Sequence, residues 1–141
     1  GKTTLANFLF NDSRTVRRFD RKAWITVSQS YERCNLLSQI LRQFDEPAPE
    51  NPTDAHYRDL GAKVFNILRN RRYLVVIDDV WSEKLWDDIN IFLPDDGNGS
   101  RILLTTRLEN VANYVVSSDE GNEKGYIHKA DLLDWDMSWR L

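Results

Sequence analysis

The chain has 141 residues, room for one domain with a real core and too few for two. A net charge of −3 gives no reason to expect a polyanionic partner such as nucleic acid or an anionic membrane surface, although a local basic patch stays compatible with it. Cys34 is the only cysteine, which excludes an internal disulfide and fits a reducing compartment, the cytoplasm.

No apolar run approaches the length of a membrane span, and the first residues lack the hydrophobic region of a signal peptide. Met137 is the only methionine, so the chain reads as a fragment of a longer protein.

Gly1-Lys2-Thr3-Thr4 has the form of the tail of a P-loop, G-x-x-x-x-G-K-[ST], without its first glycine and four intervening residues. Gly1 would let the backbone approach a phosphate, and Lys2 would reach the β- and γ-phosphates. The Thr3 hydroxyl would complete a magnesium shell, and Thr4 lies in a first helical turn whose N–H groups favour anions. Alone, such a tetrapeptide also arises by chance. Leu5, Phe8 and Leu9 recur at helical spacing, predicting a helix from Thr3 to about Phe10 that Asn11-Asp12-Ser13 ends. Ala23 to Ser28 is β-branched and aromatic and predicts a strand. Leu36, Leu37, Ile40, Leu41 and Phe44 form one helix face, with Cys34 just ahead of it expected to be inert.

Pro47, Pro49 and Pro52 mark an exposed loop, after which Thr53 or Asp54 is placed to cap a helix. That helix carries Tyr57, Leu60, Val64, Ile67 and Leu68 inward, and the basic run Arg69 to Arg72 is expected at its C-terminus, complementing the dipole. His56 and His128 have no nearby ligand partners in sequence, so a metal site built on them is not expected.

Tyr73 to Trp81 organises the chain. Five apolar or aromatic residues run without alternation and stop at Asp78-Asp79, as in a parallel strand covered on both faces. Ligands of open α/β sheets bind outside the carboxyl ends of the strands. Two adjacent carboxylates there repel unless a cation or hydrogen bonds hold them. Asp78 therefore reads as a Walker B ligand of nucleotide-bound magnesium, with Asp79 turned toward the terminal phosphate. The plainer reading, a core strand ending in a solvated acidic turn, loses weight because the P-loop remnant precedes it in the right order.

Leu85, Trp86, Ile89 and Leu93 predict a further helix, closed by Pro94, and Asp95 to Gly99 a turn. Ser100 to Arg107 reads as another buried strand. Beside the Asp-Asp strand, Arg107 would reach the phosphate end as a γ-phosphate sensor; it is equally compatible with an exposed strand-end arginine. Val111, Ala112 and Val115 suggest a short helix. Ser117 to Lys124 is polar and expected to be mobile, Tyr126 to Leu133 a last strand, and Ser138 to Leu141 the opening of a helix.

Together these blocks resemble the NB-ARC domain of plant nucleotide-binding leucine-rich-repeat disease-resistance proteins. They are Gly1 to Ala6, Phe19-Asp20 with Ala23 to Gln29, Tyr73 to Trp81, and Gly99 to Arg107; Leu132 to Leu141 is similar to the family's next block. Trp81 after Asp-Asp-Val resembles the coiled-coil class rather than the TIR class. The resemblance implies an α/β fold, a P-loop NTPase parallel sheet flanked by helices, here truncated at both ends with the first strand missing.

By the same resemblance, Lys2 binds the phosphates, Thr3 and Asp78 serve magnesium, Asp79 serves hydrolysis and Arg107 senses phosphate; Thr105 and Thr106 belong to the sensor block. It implies a switch in which ADP holds the off state, ATP permits assembly and slow hydrolysis resets. The implied partners are leucine-rich repeats and a coiled-coil domain in the parent, and pathogen effectors or guarded host proteins beyond it.

The missing first strand would lie between Ser100–Arg107 and the strand near Tyr126. Its loss would open two sheet edges and forfeit buried side chains at roughly 1.5–3 kcal/mol each, so the fragment alone is expected neither to fold stably nor to bind nucleotide tightly. An ordinary P-loop ATPase or kinase would use the same Lys2, Thr3 and Asp78. Against it stand Trp24 to Ser28, Trp81 and Thr105 to Arg107, which have no evident role in a phosphoryl-acceptor site. A non-binding scaffold copy is a third possibility, which the intact nucleotide residues oppose.

Overall fold

Strand β2, Tyr73–Val80, lies at the centre of the parallel sheet, and its sequence explains why. Period-two alternation sends neighbouring side chains to opposite faces, and both faces here are apolar. Leu74 and Val76 pack with Ala6 and Leu103 on one face, flanked by Leu9, Phe10, Phe19 and Trp24. Tyr73, Val75 and Ile77 join the larger core on the other. Val75, Val76 and Ile77 are fully buried, worth roughly 1.5–3 kcal/mol each.

The structure is a computed structural model that describes residues 2–95, 97–117, 126–130 and 135–140, with the backbone alone for 2–5, 126–130 and 135–140. β1 (Arg21–Thr26) and β3 (Arg101–Thr106) flank β2, both parallel to it. Helices α3 (Arg33–Gln43), α4 (Tyr57–Leu68), α5 (Glu83–Asn90) and α6 (Glu109–Ser117) contribute to the larger core. Helix α1 (Lys2–Asn11) covers the opposite face. Lys22 holds the last turn of α1 at the start of β1, donating from Nζ to the Phe10 carbonyl at 2.8 Å and lying 4.3 Å from the Phe10 ring centre.

Local signals account for most boundaries. Ser82 caps α5, accepting the Lys84 N–H at 3.1 Å. Helix α3 ends on Asp45 at φ 57°, with the Glu46 N–H bonded to the Leu41 carbonyl and the Asp45 N–H to that of Arg42, the paired closure of a left-handed helix terminus. The turn before β3 docks on the start of β2. Ser100 Oγ accepts the Tyr73 N–H at 3.0 Å, and Asn98 Nδ2 donates to the Arg71 carbonyl at 2.8 Å.

Several expectations are corrected. Asn11 to Ser13 does not simply end a helix: Asp12 caps a second one, α2 (Ser13–Arg18), accepting the Arg14 N–H at 2.8 Å. β1 begins at Arg21, earlier than Ala23, and ends at Thr26 rather than Ser28. Thr53 and His56 form a capping box on a single 3-10 turn, Asp54–His56, ahead of α4. The last turn of α4 holds no basic residue; Arg72 instead donates from Nε to the Asn98 carbonyl at 2.9 Å.

The largest departure is Ser138 to Arg140, expected to open a helix. These residues lie in strand β5 (Trp135–Arg140), antiparallel to β3, with β4 (Tyr126–Ala130) antiparallel beyond it. Trp135, Met137 and Trp139 alternate with polar residues, the pattern of a strand. The sheet order is thus β1-β2-β3-β5-β4: β5 takes the place expected for the missing first strand, and the sheet is mixed. Ser117, expected to open a mobile stretch, is the last residue of α6; the rest of that stretch, to Lys124, and Leu132 and Leu133, expected to end the last strand, lie outside the described residues, as do Gly1 and Leu141.

Candidate functional site

At its carboxyl end β2 departs from a regular ladder. Ile77 pairs with Leu104, but the next pair is Val80 with Thr106. Asp78 and Asp79 therefore share the single partner Thr105, a two-against-one bulge. Asp79 absorbs the extra residue with φ 66°, a left-handed conformation that Asp tolerates better than most side chains. The β1 side stays regular, with the Val27 N–H donating to the Asp78 carbonyl at 2.9 Å.

Two buried hydroxyls serve the backbone groups that the bulge displaces. Thr105 and Thr106 are both fully buried. Thr105 Oγ1 accepts the Asp79 N–H at 2.8 Å and donates to Asp78 Oδ1 at 2.6 Å. Thr106 Oγ1 donates to the Val80 carbonyl at 2.5 Å and accepts the Leu108 N–H at 3.1 Å, shaping the turn that carries Arg107. Asp78 is 4 % exposed, a carboxylate held almost out of water by a charge-assisted hydrogen bond.

By alternation, Asp78 continues the face of Leu74 and Val76, and Thr105 that of Leu103. This is the face that α1 covers, and α1 starts at Lys2. The two carboxylates and the start of that helix thus come from segments packed on one another. The side chains of Lys2, Thr3 and Thr4, like Gly1, lie outside the described residues. Arg107 is exposed, one residue beyond β3, at the same edge as Asp78 and Asp79.

Trp81 follows β2 directly and ties it to the loop after β1. Its Nε1 donates to the Ser28 carbonyl at 2.9 Å, and its ring meets Tyr31 edge-on at 5.5 Å. Beyond it, Arg33 lies 3.6 Å from the Tyr57 ring centre and pairs with Asp54 at 3.2 Å and Asp88 at 3.6 Å. Burial, and then the charge of Asp88, raise the pKa of Tyr57 above the ordinary phenol value. Cys34 joins this network, with Sγ 3.6 Å from Asp54 Oδ1; burial first, then this bond, push its thiol pKa up.

The donor set suits magnesium, a hard cation that takes one or two carboxylates and fills its octahedron with phosphate oxygens and waters. Among the described residues no group of three His, Cys, Asp or Glu gathers that could hold a metal without such help.

Comparison with known proteins decides the family. The NB-ARC domain matches residues 1–141, the whole chain. The chain belongs to the NB-ARC family. Relatives of this NB-ARC chain include Disease resistance protein RPM1 of Arabidopsis thaliana, 37% identical over 145 residues that cover 100% of the chain and 15% of the relative. Disease resistance protein RPP13 of the same plant is 33% identical, covering 100% and 16%. Putative late blight resistance protein homolog R1B-23 of Solanum demissum is 43% identical, covering 100% and 11%. The chain thus spans less than a fifth of each relative's length. Among the described residues no helix is long and apolar enough to cross a membrane.

Proposed function

We propose that this NB-ARC chain is the ADP/ATP-binding switch module of an intracellular plant immune receptor of the coiled-coil class, acting in the cytoplasm. The observation that carries the reading is the bulge that gathers Asp78 and Asp79 against Thr105, on a sheet whose facing helix begins Lys2-Thr3-Thr4. Gly1 and the first turn of α1 approach the phosphates with backbone N–H groups, and Lys2 neutralises them. Thr3 and Asp78 would hold magnesium, which when bound would offset the charge of the phosphates. Asp79 lies toward the terminal phosphate and orients attacking water, while Arg107 distinguishes ATP from ADP by its contact with the γ-phosphate.

Hydrolysis is slow and resets the switch; assembly is the output. The partners are the coiled-coil and leucine-rich-repeat parts of the parent, and pathogen effectors or guarded host proteins. Similarity to resistance proteins over the whole chain favours this over a metabolic ATPase or kinase.

The test is nucleotide retention by the full-length protein carrying Lys2→Ala. Charge-assisted contacts to phosphate contribute roughly 1.5–3 kcal/mol each, so ADP affinity is expected to fall about tenfold to a hundredfold. Unchanged ADP retention would refute the role of Lys2.

A further inference from the structure

We propose that Thr105 is the positioning residue of the magnesium–nucleotide site, a hydroxyl clamp that fixes the Asp78 carboxylate and the backbone of Asp79 as one unit. The inference rests on the nucleotide reading above and adds to it a residue that touches neither ion nor nucleotide.

A threonine hydroxyl has one proton to give and lone pairs to accept with. The Asp79 N–H binds the Thr105 oxygen at 2.8 Å, and the only hydrogen on that oxygen is directed to Asp78 Oδ1 at 2.6 Å. The donor–acceptor direction is therefore set: backbone N–H to hydroxyl, hydroxyl to carboxylate. Thr105 is fully buried and Asp78 is 4 % exposed, so water competes poorly for either bond.

A structural role alone would require only that the Asp79 N–H be satisfied. The neighbouring Thr106 supplies that comparison. It satisfies a backbone carbonyl and a backbone N–H and touches no carboxylate. Thr105 does the same for one backbone group and then spends its proton on the side chain proposed to ligate the ion. Asp78 is thereby oriented by a buried partner on the adjacent strand, and any shift of β3 against β2 is transmitted to it. Groups that orient metal ligands in this way typically change metal affinity 10- to 100-fold when removed.

The experiment uses the full-length protein and titrates magnesium chloride against bound fluorescent ADP, reading the concentration that gives half-maximal retention. Thr105→Val keeps the shape and removes the hydroxyl; Thr105→Ser keeps the hydroxyl. The expected result is a rise in the magnesium midpoint of about tenfold or more for the valine variant, with the serine variant within about twofold of wild type. Because Thr105 acts through Asp78, Thr105→Val should shift the midpoint no further in an Asp78→Asn background.

A valine variant with an unshifted midpoint overturns the proposal, as does an additive shift in the Asp78→Asn background. Failure of both Thr105→Val and Thr105→Ala to fold also overturns it, in favour of a purely structural hydroxyl. The nucleotide reading fails separately, if wild-type protein shows no magnesium-dependent retention or Lys2→Ala retains ADP unchanged.

Discussion

The left-handed backbone at Asp79 can be tested apart from its carboxylate. Asp79→Gly and Asp79→Val both remove the charge, and neither removes the N–H that Thr105 accepts. Their difference therefore reports on φ 66° with the carboxylate held constant. Valine in a left-handed conformation costs about 1–2 kcal/mol in sterics, and more when β-branching crowds the neighbouring turn. Glycine has no such cost but gives up roughly 0.5–1 kcal/mol through the greater freedom of its unfolded chain.

Glycine should thus lie within about 1 kcal/mol of wild type, and valine about 1–3 kcal/mol below glycine. Hydrogen exchange across Tyr73–Val80 in the full-length protein reads this locally, because opening equilibria set the exchange rate. Exchange in the valine variant should be roughly 5- to 100-fold faster than in the glycine variant, at 1.4 kcal/mol per factor of ten. Equal exchange in the two variants would mean that the bulge is absent from the solution structure, and the clamp argument would fall with it.

Gly61 in α4 faces Phe92, and a Cβ there would run into the Phe92 ring, which meets Tyr57 edge-on at 5.2 Å. Gly61→Ala should destabilise by about 1–3 kcal/mol despite better helix propensity, and adding Phe92→Ala should make the pair less costly than the sum; strict additivity in thermal melts would refute the contact. Cys34 has a raised thiol pKa through burial and its bond to Asp54, with Glu32 also raising it and Arg33 opposing. A raised folded pKa means that its stabilising contribution is complete below the unfolded value of about 8.5 and is lost as pH rises through the folded one. Wild type should therefore lose more stability between pH 8 and 9.5 than Cys34→Ala does, and the thiol should resist iodoacetamide at pH 7. Equal pH profiles would refute the burial argument.

What could be read from the sequence was whatever a single segment dictates. The unbroken run in β2 and the apolar stripes of α3 and α4 gave elements in which Leu36, Leu37, Ile40 and Leu41, and Leu60, Val64 and Leu68, are buried as expected, while Tyr57 and Ile67 are only partly buried and Ser38 and Gly61 join the buried set. The plant disease-resistance family was also legible, because four separated blocks agreed with it. Helix α2 escaped because Asn-Asp-Ser serves equally as a turn and as an N-cap, and its six residues bury nothing. Strand β5 escaped because Ser-Trp-Arg-Leu is too short a stretch to show the alternation that begins at Trp135, and because the partner it finds on β3 is remote in sequence.

The bulge was illegible for a deeper reason. Nothing within Ile77-Asp78-Asp79-Val80 says that two residues will oppose one; that count is a property of the pairing with β3 and appears only when both strands are in place. Yet the bulge answers a difficulty that the sequence did pose. In a regular strand, adjacent carboxylates point to opposite faces of the sheet, which would set Asp78 and Asp79 apart. A left-handed residue at Asp79 breaks that alternation, and the Thr105 hydroxyl stabilises the break by binding its N–H and the Asp78 carboxylate together. A buried hydroxyl that fixes an almost buried carboxylate and an irregular backbone at the carboxyl end of a parallel strand is the physical argument for reading this edge as a site.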